Sequence, residues 1–191
     1  TDSTASQLLK KQSGSSTDIM FDYAFTTDKR DRRFMPTDGY LTSFYQELPI
    51  YADQPHIKNG FSTNHYKELS EDMIGAFKFG ITAVNGLNDE DVRVSQRLDL
   101  SSKKLRGFEQ GKVGPKDGND FVGGNYSTSM NLEANFPNFF PEKSNAEIGL
   151  FLDAGNVWGV DYSDTIDDSN EIRSTIGVNT SWLSPAGPLS F

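Results

Sequence analysis

Apolar and polar residues alternate with a period of two along most of this chain, as in β-strands whose two faces meet different surroundings. The segment 123–136 shows the pattern best, with Met130 and Leu132 on one face and Ser129 and Asn131 on the other. No segment carries the period of an amphipathic helix. The pattern predicts an all-β, antiparallel meander of about seven strands. They are expected at 16–27, 40–51, 61–69 (weakly alternating), 72–84, 123–136, 146–158 and 171–182, with the start of another strand at 189–191.

The connections between these strands differ in length. Pro36-Thr37-Asp38-Gly39 has the sequence of a tight turn, in which Pro sets φ and Gly accepts a positive φ. The segments 85–122 and 159–170 are long and polar, whereas the turns near Ser70 and Ser184 are short. An irregular connection as long as 85–122 is usually functional or disordered. Because regular strands flank it, we expect it to belong to the folded unit.

Composition narrows the class of protein without deciding it. The 191 residues suffice for one domain, and a net charge of −9 argues against nucleic acid as a partner. There is no cysteine, which excludes disulfides and thiolate metal sites. No apolar run reaches the roughly 18 residues of a transmembrane helix. The 17 Gly, 14 Phe and 7 Tyr, in a chain of mean hydropathy −0.56, fit half-polar strands joined by long loops.

Two architectures fit the pattern: a soluble β-sandwich acting as a binding module, and a transmembrane β-barrel. Continuous Asn, Ser, Thr and Glu rows on the strands at 123–136 and 171–182 would suit a wet barrel interior. Long loops alternating with short turns would suit an outer-membrane barrel. Aromatic residues near strand ends would suit a membrane interface, and they are Phe136, Phe139, Phe140, Trp158, Tyr162 and Trp182. On the pattern alone both architectures remain open.

Candidate chemistry is confined to a few positions. Leu105-Arg106-Gly107-Phe108, inside the long loop, combines a cation that pairs bidentately, a flexible joint and an aromatic anchor. Four aspartates within 161–168 could bind calcium, but they lack the order and the glycine of an EF-hand, so a solvated loop is expected. His56 and His65 lack metal-spaced partners and are expected at the surface. No catalytic motif is present, and no enzyme activity is predicted.

A set of short motifs also occurs in a fixed order. It comprises Arg33-Phe34-Met35-Pro36-Thr37-Asp38-Gly39, Leu105-Arg106-Gly107-Phe108, Gln110-Gly111-Lys112-Val113-Gly114-Pro115-Lys116-Asp117, Val122-Gly123-Gly124-Asn125, Asn131-Leu132-Glu133, Leu150-Phe151-Leu152-Asp153-Ala154-Gly155-Asn156-Val157-Trp158 and Ser184-Pro185-Ala186-Gly187-Pro188-Leu189. In this order and spacing the set resembles the C-terminal half of the BamA family, in the surface-antigen superfamily. The likeness runs from about Ser16 to the last residue.

The resemblance implies a transmembrane β-barrel of sixteen antiparallel strands, of which this chain would hold roughly strands eight to fourteen and the start of fifteen. Residues 1–14 would be the end of an extracellular loop, and 15–191 the C-terminal part of the barrel. The loop 85–122 would be inserted into the lumen. The family has glycines just before the Arg-Gly-Phe tip, where this chain has Asp-Leu-Ser-Ser-Lys-Lys at 99–104. The approach to the tip is therefore expected to differ.

The resemblance also implies a site and a function. The family holds its loop tip by carboxylates on the barrel wall, which implies that Arg106 pairs with Glu133 and Asp153, with Phe151 placed to stack on the guanidinium. The implied function is a non-enzymatic insertase in the bacterial outer membrane that needs no cofactor. Its partners would be nascent outer-membrane proteins, accessory assembly lipoproteins and outer-membrane lipid, and no nucleic acid. Translocation pores of the two-partner-secretion or TamA type are the alternatives within the superfamily.

Overall fold

The computed structural model describes residues 15–141, 145–163, 165–166, 171–184 and 187–190. Eight antiparallel strands form one open sheet and follow one another in chain order. They are β1 Asp18–Asp28, β2 Gly39–Ala52, β3 His56–Ser70, β4 Met73–Gly86, β7 Tyr126–Phe136, β8 Ala146–Trp158, β9 Arg173–Ser184 and β10 Gly187–Ser190, while β5 Lys116–Asp117 and β6 Asp120–Phe121 pair separately as a small hairpin. The predicted meander is confirmed, and a sandwich of two packed sheets is ruled out. The expectation for 1–14 lies outside the described residues.

The two faces of the sheet are the reverse of those in a soluble protein. On what we call the outward face, Phe25, Leu150 and Ile176 are 70%, 51% and 81% exposed. On the opposite, inner face, Ser129 and Asp153 are only 4% and 0% exposed. The expected faces of the alternating strands are therefore confirmed, with the apolar side outward. Among the described residues no helix is long and apolar enough to cross a membrane.

Strand β3 begins five residues earlier than expected, at His56 instead of Phe61. Its alternation is weak because several outward-facing side chains of β2 and β3 are polar. These side chains bond to one another across the strands: Thr42 Oγ1 lies 2.8 Å from Thr63 Oγ1, and Gln46 Nε2 donates to Asn59 Oδ1 at 2.5 Å. The polarity that blurs the pattern is thus satisfied within the sheet.

Connection lengths follow the expectation only in part. The loops 87–125 and 159–172 are long and leave the same end of the sheet. At that end, however, β2 and β3 are joined by residues 53–55 alone, whereas 29–38 join β1 and β2 at the opposite end. A regular alternation of long loops and short turns is therefore wrong for this chain. The extra length is concentrated in the two loops that contact each other.

The face assignment predicts different outcomes for arginine at two adjacent positions of β3. Phe61 is on the outward face and 40% exposed, and Ser62 beside it is on the inner face. We expect Phe61→Arg to lower the free energy of unfolding by about 2–4 kcal/mol if the outward face meets lipid near the midplane. Ser62→Arg should cost much less. The measurement is a urea titration of the full-length protein in lipid vesicles, and equal losses at both positions would contradict the assignment.

Candidate functional site

The connection between β4 and β7, residues 87–125, folds over the inner face of the sheet. Its two ends are held together: the Val84 N–H donates to the Asn125 carbonyl at 2.8 Å, and Leu98 and Gly124 exchange backbone hydrogen bonds of 2.8 and 3.0 Å. Gly123 has a φ of +70°, and a Cβ there would lie 2.8 Å from the Leu98 carbonyl oxygen. This return of the chain therefore requires glycine, and the loop is an ordered part of the fold.

Apolar side chains of the loop pack against β8. Leu100, Leu105 and Val113 form a buried cluster with Val157. The strand leaves space for them at Gly155, where an added Cβ would lie 2.8 Å from Leu100 Cδ1. The cluster sets the depth to which the loop descends along the inner face.

The loop tip, Leu105-Arg106-Gly107-Phe108, follows a tight turn. The N–H groups of Lys104 and Leu105 both donate to the Ser101 carbonyl, at 2.9 and 3.2 Å. The approach to the tip is therefore a single helical turn. Gly107 has a φ of +82°, which favours glycine at the bend. Leu105 is 1% exposed, and Phe108 packs back onto the cluster around it.

Arg106 lies above four inner-face residues on two neighbouring strands. The register pairs Asn131 with Asp153 and Glu133 with Phe151, so their side chains form two adjacent cross-strand pairs. Arg106 Nε and Nη2 donate to Asp153 Oδ2 and Oδ1 at 2.7 and 2.6 Å. The Arg106 backbone N–H also donates to Asp153 Oδ2, at 3.1 Å. This bidentate pairing uses the planar fork that distinguishes arginine from lysine.

A second carboxylate extends the pairing into a neutral cluster. Arg106 Nη2 lies 2.9 Å from Glu133 Oε1, and Lys78 Nζ lies 2.7 Å from Glu133 Oε2. Two cations and two carboxylates therefore share one region, with the Asp153 side chain fully buried. Buried charges are tolerated when they are paired and hydrogen-bonded, and this cluster meets both conditions.

Phe151 completes the group of wall residues beneath Arg106, namely Asn131, Glu133, Phe151 and Asp153, which we call the seat of the loop tip. The Arg106 guanidinium carbon lies 3.7 Å from the centre of the Phe151 ring, within the range of a cation–π contact. On the neighbouring strand, a Cβ at Gly177 would lie 2.5 Å from the ring, so the ring occupies space that only glycine leaves open. Gly177 therefore allows Phe151 to lie beneath the guanidinium.

The structure thus brings together every residue that the sequence singled out for the loop tip and its wall. It adds two that the sequence argument did not assign: Lys78, and Asn131, whose Nδ2 donates to the Lys104 carbonyl at 2.9 Å. Both fall on the predicted inner face, so their position was available from the alternation. Their contacts were not, because those depend on how deep the loop lies.

Asp161 and Tyr162 contact a buried loop arginine that the sequence argument did not assign. Asp161 is exposed, as expected for a solvated loop, but its carboxylate also pairs with Arg97, whose side chain is 1% exposed. Tyr162 was assigned to an outer aromatic belt, yet its ring lies 4.9 Å from the Arg97 guanidinium carbon. Burial and the nearby Asp117 raise the pKa of Tyr162 to about 12. The sequence showed no sign of Arg97, because nothing in its surroundings repeats or alternates.

The two histidines differ. His65 is exposed as expected, but His56 is 2% exposed, and its Nε2 lies 3.0 Å from Glu47 Oε1. The surface assignment of His56 is therefore wrong, since β3 begins at this residue and turns it to the inner face. The described residues contain no group of three or more His, Asp or Glu arranged to hold a metal ion. Asp164, Asp167 and Asp168 lie outside the described part of the chain.

The arrangement of strands, loop and charged seat has counterparts in known proteins. The profile of the Omp85 superfamily domain matches residues 1–191, the whole chain. The chain belongs to the Omp85 superfamily. The outer membrane protein assembly factor BamA of Neorickettsia risticii is 26% identical over 97% of this chain. The human sorting and assembly machinery component 50 homolog is 27% identical over 84% of it.

One solved structure has the same fold as this Omp85 chain over most of its length. The crystal structure of BamA from Haemophilus ducreyi lacking POTRA domains 1–3 superposes with a TM-score of 0.82 and 26% sequence identity. The match covers 92% of this chain and 38% of the Haemophilus chain. The sheet is therefore part of an antiparallel transmembrane β-barrel. The chain spans 26% of the Neorickettsia protein and 36% of the human one.

The geometry of this Omp85 seat predicts an order of importance for its two carboxylates. Asp153 accepts three hydrogen bonds from Arg106, whereas Glu133 also pairs with Lys78. Asp153→Asn should therefore lower the free energy of unfolding more than Glu133→Gln. We expect a loss of about 3 kcal/mol for Asp153→Asn, since it leaves a partly buried arginine without its main partner. Denaturant titration of the full-length protein in lipid vesicles measures both, and a larger loss for Glu133→Gln would contradict the assignment.

The bend at Gly107 yields a prediction about the backbone. Gly107→Ala would place a Cβ 3.3 Å from Thr175 Oγ1 at a φ of +82°. We expect a loss of about 1–2 kcal/mol, because a residue with a Cβ is strained in the left-handed region. Gly118→Ala is the matched control, since Gly118 also has a positive φ of +64° but meets nothing within 4 Å. Denaturant titration measures the free energy of unfolding of both variants. Because both carry the backbone strain, a larger loss for Gly107→Ala isolates the contact with Thr175.

Proposed function

We propose that this chain is the C-terminal part of a bacterial outer-membrane barrel that folds and inserts other β-barrel proteins. In this proposal residues 15–191 form barrel wall, and the loop 87–125 enters the lumen from the outer side. The activity is a non-enzymatic assembly function that needs no cofactor. Its partners are nascent outer-membrane proteins, accessory assembly lipoproteins and outer-membrane lipid.

The seat of Arg106 is the observation that carries the proposal. A loop arginine bonded to a fully buried carboxylate holds the loop against β7 and β8 and braces these strands from inside. In lipid, every backbone N–H and C=O of a wall must be paired, and an unpaired group costs several kcal/mol. Strands that are braced in this way stay paired while other parts of a barrel rearrange around a client.

The named relatives favour assembly over the alternative of a translocation pore. BamA of Neorickettsia risticii is named an outer membrane protein assembly factor, and the human relative is a component of sorting and assembly machinery. Both match the region that carries the loop tip and its wall. Neither name denotes export of a finished polypeptide, and none denotes an enzyme.

The test uses the full-length protein in lipid vesicles, to which a urea-unfolded outer-membrane β-barrel protein is added. We expect the wild type to accelerate folding of this client. Arg106→Ala should lower the rate by about tenfold, equivalent to about 1.4 kcal/mol. Arg106→Lys should lower it less, since lysine keeps the charge but not the bidentate fork. The measurement is the time course of client folding at fixed protein-to-lipid ratio.

Arg93→Ala is the matched control, because Arg93 is a loop arginine outside the ion cluster. Its rate should equal that of the wild type. An unchanged rate in a folded Arg106→Ala variant would remove the loop tip from the function. A wild type that leaves client folding unaffected but releases a polypeptide trapped in the vesicles would favour the translocation pore.

A further inference from the structure

The base of the long loop holds a second ion-paired arginine, Arg97, and this one is buried. Arg97 donates from Nη1 to Asn125 Oδ1 at 2.8 Å and from Nη2 to the Val92 carbonyl at 3.1 Å. Nη2 also pairs with Asp161 Oδ1, and Tyr162 lies against the guanidinium face. Arg97 is therefore enclosed by three separate parts of the chain: the loop base, the residue before β7, and the loop that follows β8.

Asp161 is the charged partner in this enclosure. Its carboxylate also accepts from the Val92 N–H at 3.0 Å and from Asn125 Nδ2 at 2.8 Å. Burial acts to raise the pKa of Asp161, but the hydrogen bonds from Asn125 and Val92 and the charge of Arg97 outweigh it, and the pKa is lowered. The loop 159–172 is thus attached to the loop 87–125 through the Asp161 carboxylate, which has three hydrogen-bond partners, and through the Asn125 N–H, which donates to the Gly159 carbonyl at 2.9 Å.

The position of Arg97 connects this attachment to the loop tip. Arg97 is followed at once by Leu98, whose backbone bridges to Gly124, and then by Leu100 of the buried cluster. Arg106 lies at the far end of the same short stretch. The stretch 98–106 is therefore held at one end by Asp161 and at the other by Asp153.

We propose that Arg97 and Asp161 form a latch through which the loop 159–172 keeps the Arg106 tip on its seat. Arg97 is a positioning residue in this proposal, since it acts on the tip through the chain between them. The described partners of Arg97 other than Asp161 are neutral, so loss of the carboxylate leaves a buried guanidinium without a counter-charge, which is strongly destabilising. When Arg97 moves toward water, it displaces Leu98 and the adjoining apolar cluster that contains Leu100.

The test is hydrogen–deuterium exchange of the full-length protein in lipid vesicles, read by mass spectrometry. We expect Asp161→Asn to speed exchange of the peptide 98–108 by at least about tenfold, because protection in a docked segment reports its local opening. The peptide 126–136, which covers β7, should exchange at the wild-type rate. Asp89→Asn is the matched control, since Asp89 is an exposed aspartate of the same loop and asparagine tolerates its φ of +60°.

A charge exchange separates the latch from a general loss of stability. Arg97→Asp alone should expose 98–108, and Arg97→Asp combined with Asp161→Arg should restore part of the protection. Unchanged exchange of 98–108 in both Asp161→Asn and Arg97→Asp would overturn the proposal. Equal acceleration of 98–108 and 126–136 would also overturn it, because the pair would then stabilise the whole wall and not the loop.

The latch extends the proposed assembly function, yet its test does not depend on client folding. Arg106→Ala serves as the positive control, since it should release the same peptide from the other end. If Asp161→Asn releases 98–108 while client folding stays at the wild-type rate, the latch is supported and the role of the loop tip in assembly fails. If exchange stays slow and client folding drops, the latch fails and the proposed function does not.

Discussion

Pairing of Arg106 with Asp153 is the interaction on which the arrangement of the loop depends. A fully buried carboxylate on the wall of a sheet is costly unless a cation reaches it with good geometry. The chain supplies that cation from a distant loop, and the loop can deliver it only by descending along the inner face. Its helical turn, its positive-φ glycine and its apolar cluster all serve this descent.

Apolar packing and hydrogen bonds hold the loop in different ways. The apolar cluster around Leu105 is non-directional and sets depth, whereas the hydrogen bonds of the guanidinium are directional and set orientation. Glycines on the wall make both possible: Gly155 leaves space for Leu100, and Gly177 leaves space for the ring under Arg106. The inner face of β8 and β9 and the loop are therefore complementary in shape.

The sequence predicted the strands well because the two faces of most strands differ sharply in polarity. The bounds of β8 agree with those observed, and those of β1, β2, β4 and β9 differ by at most two residues at either end. Strand β3 was shortened in the prediction because polar side chains occur on both of its faces. Periodicity measures a contrast between faces, so it has no signal where both are polar.

The candidate site was predictable to a smaller extent. The partners of the loop tip came from the resemblance together with the faces of β7 and β8, on which Glu133 and Asp153 lie. Arg97 was not found, since its partners are scattered over three segments and none has a local signature. The burial of His56 was missed for a related reason, because it follows from where a strand begins. Contacts of this kind depend on tertiary packing that no local pattern records.

The hydrogen-bonded polar side chains on the outward face of β2 and β3 bear on how these strands find their alignment. Sliding one strand by two residues keeps every side chain on its own face, so the apolar pattern does not oppose such an error. The slide would separate Gln46 from Asn59 and Thr42 from Thr63. In a lipid-facing wall the separated groups would have no water to bond. The polar residues that hide β3 from sequence analysis therefore select its correct pairing against the nearest incorrect one.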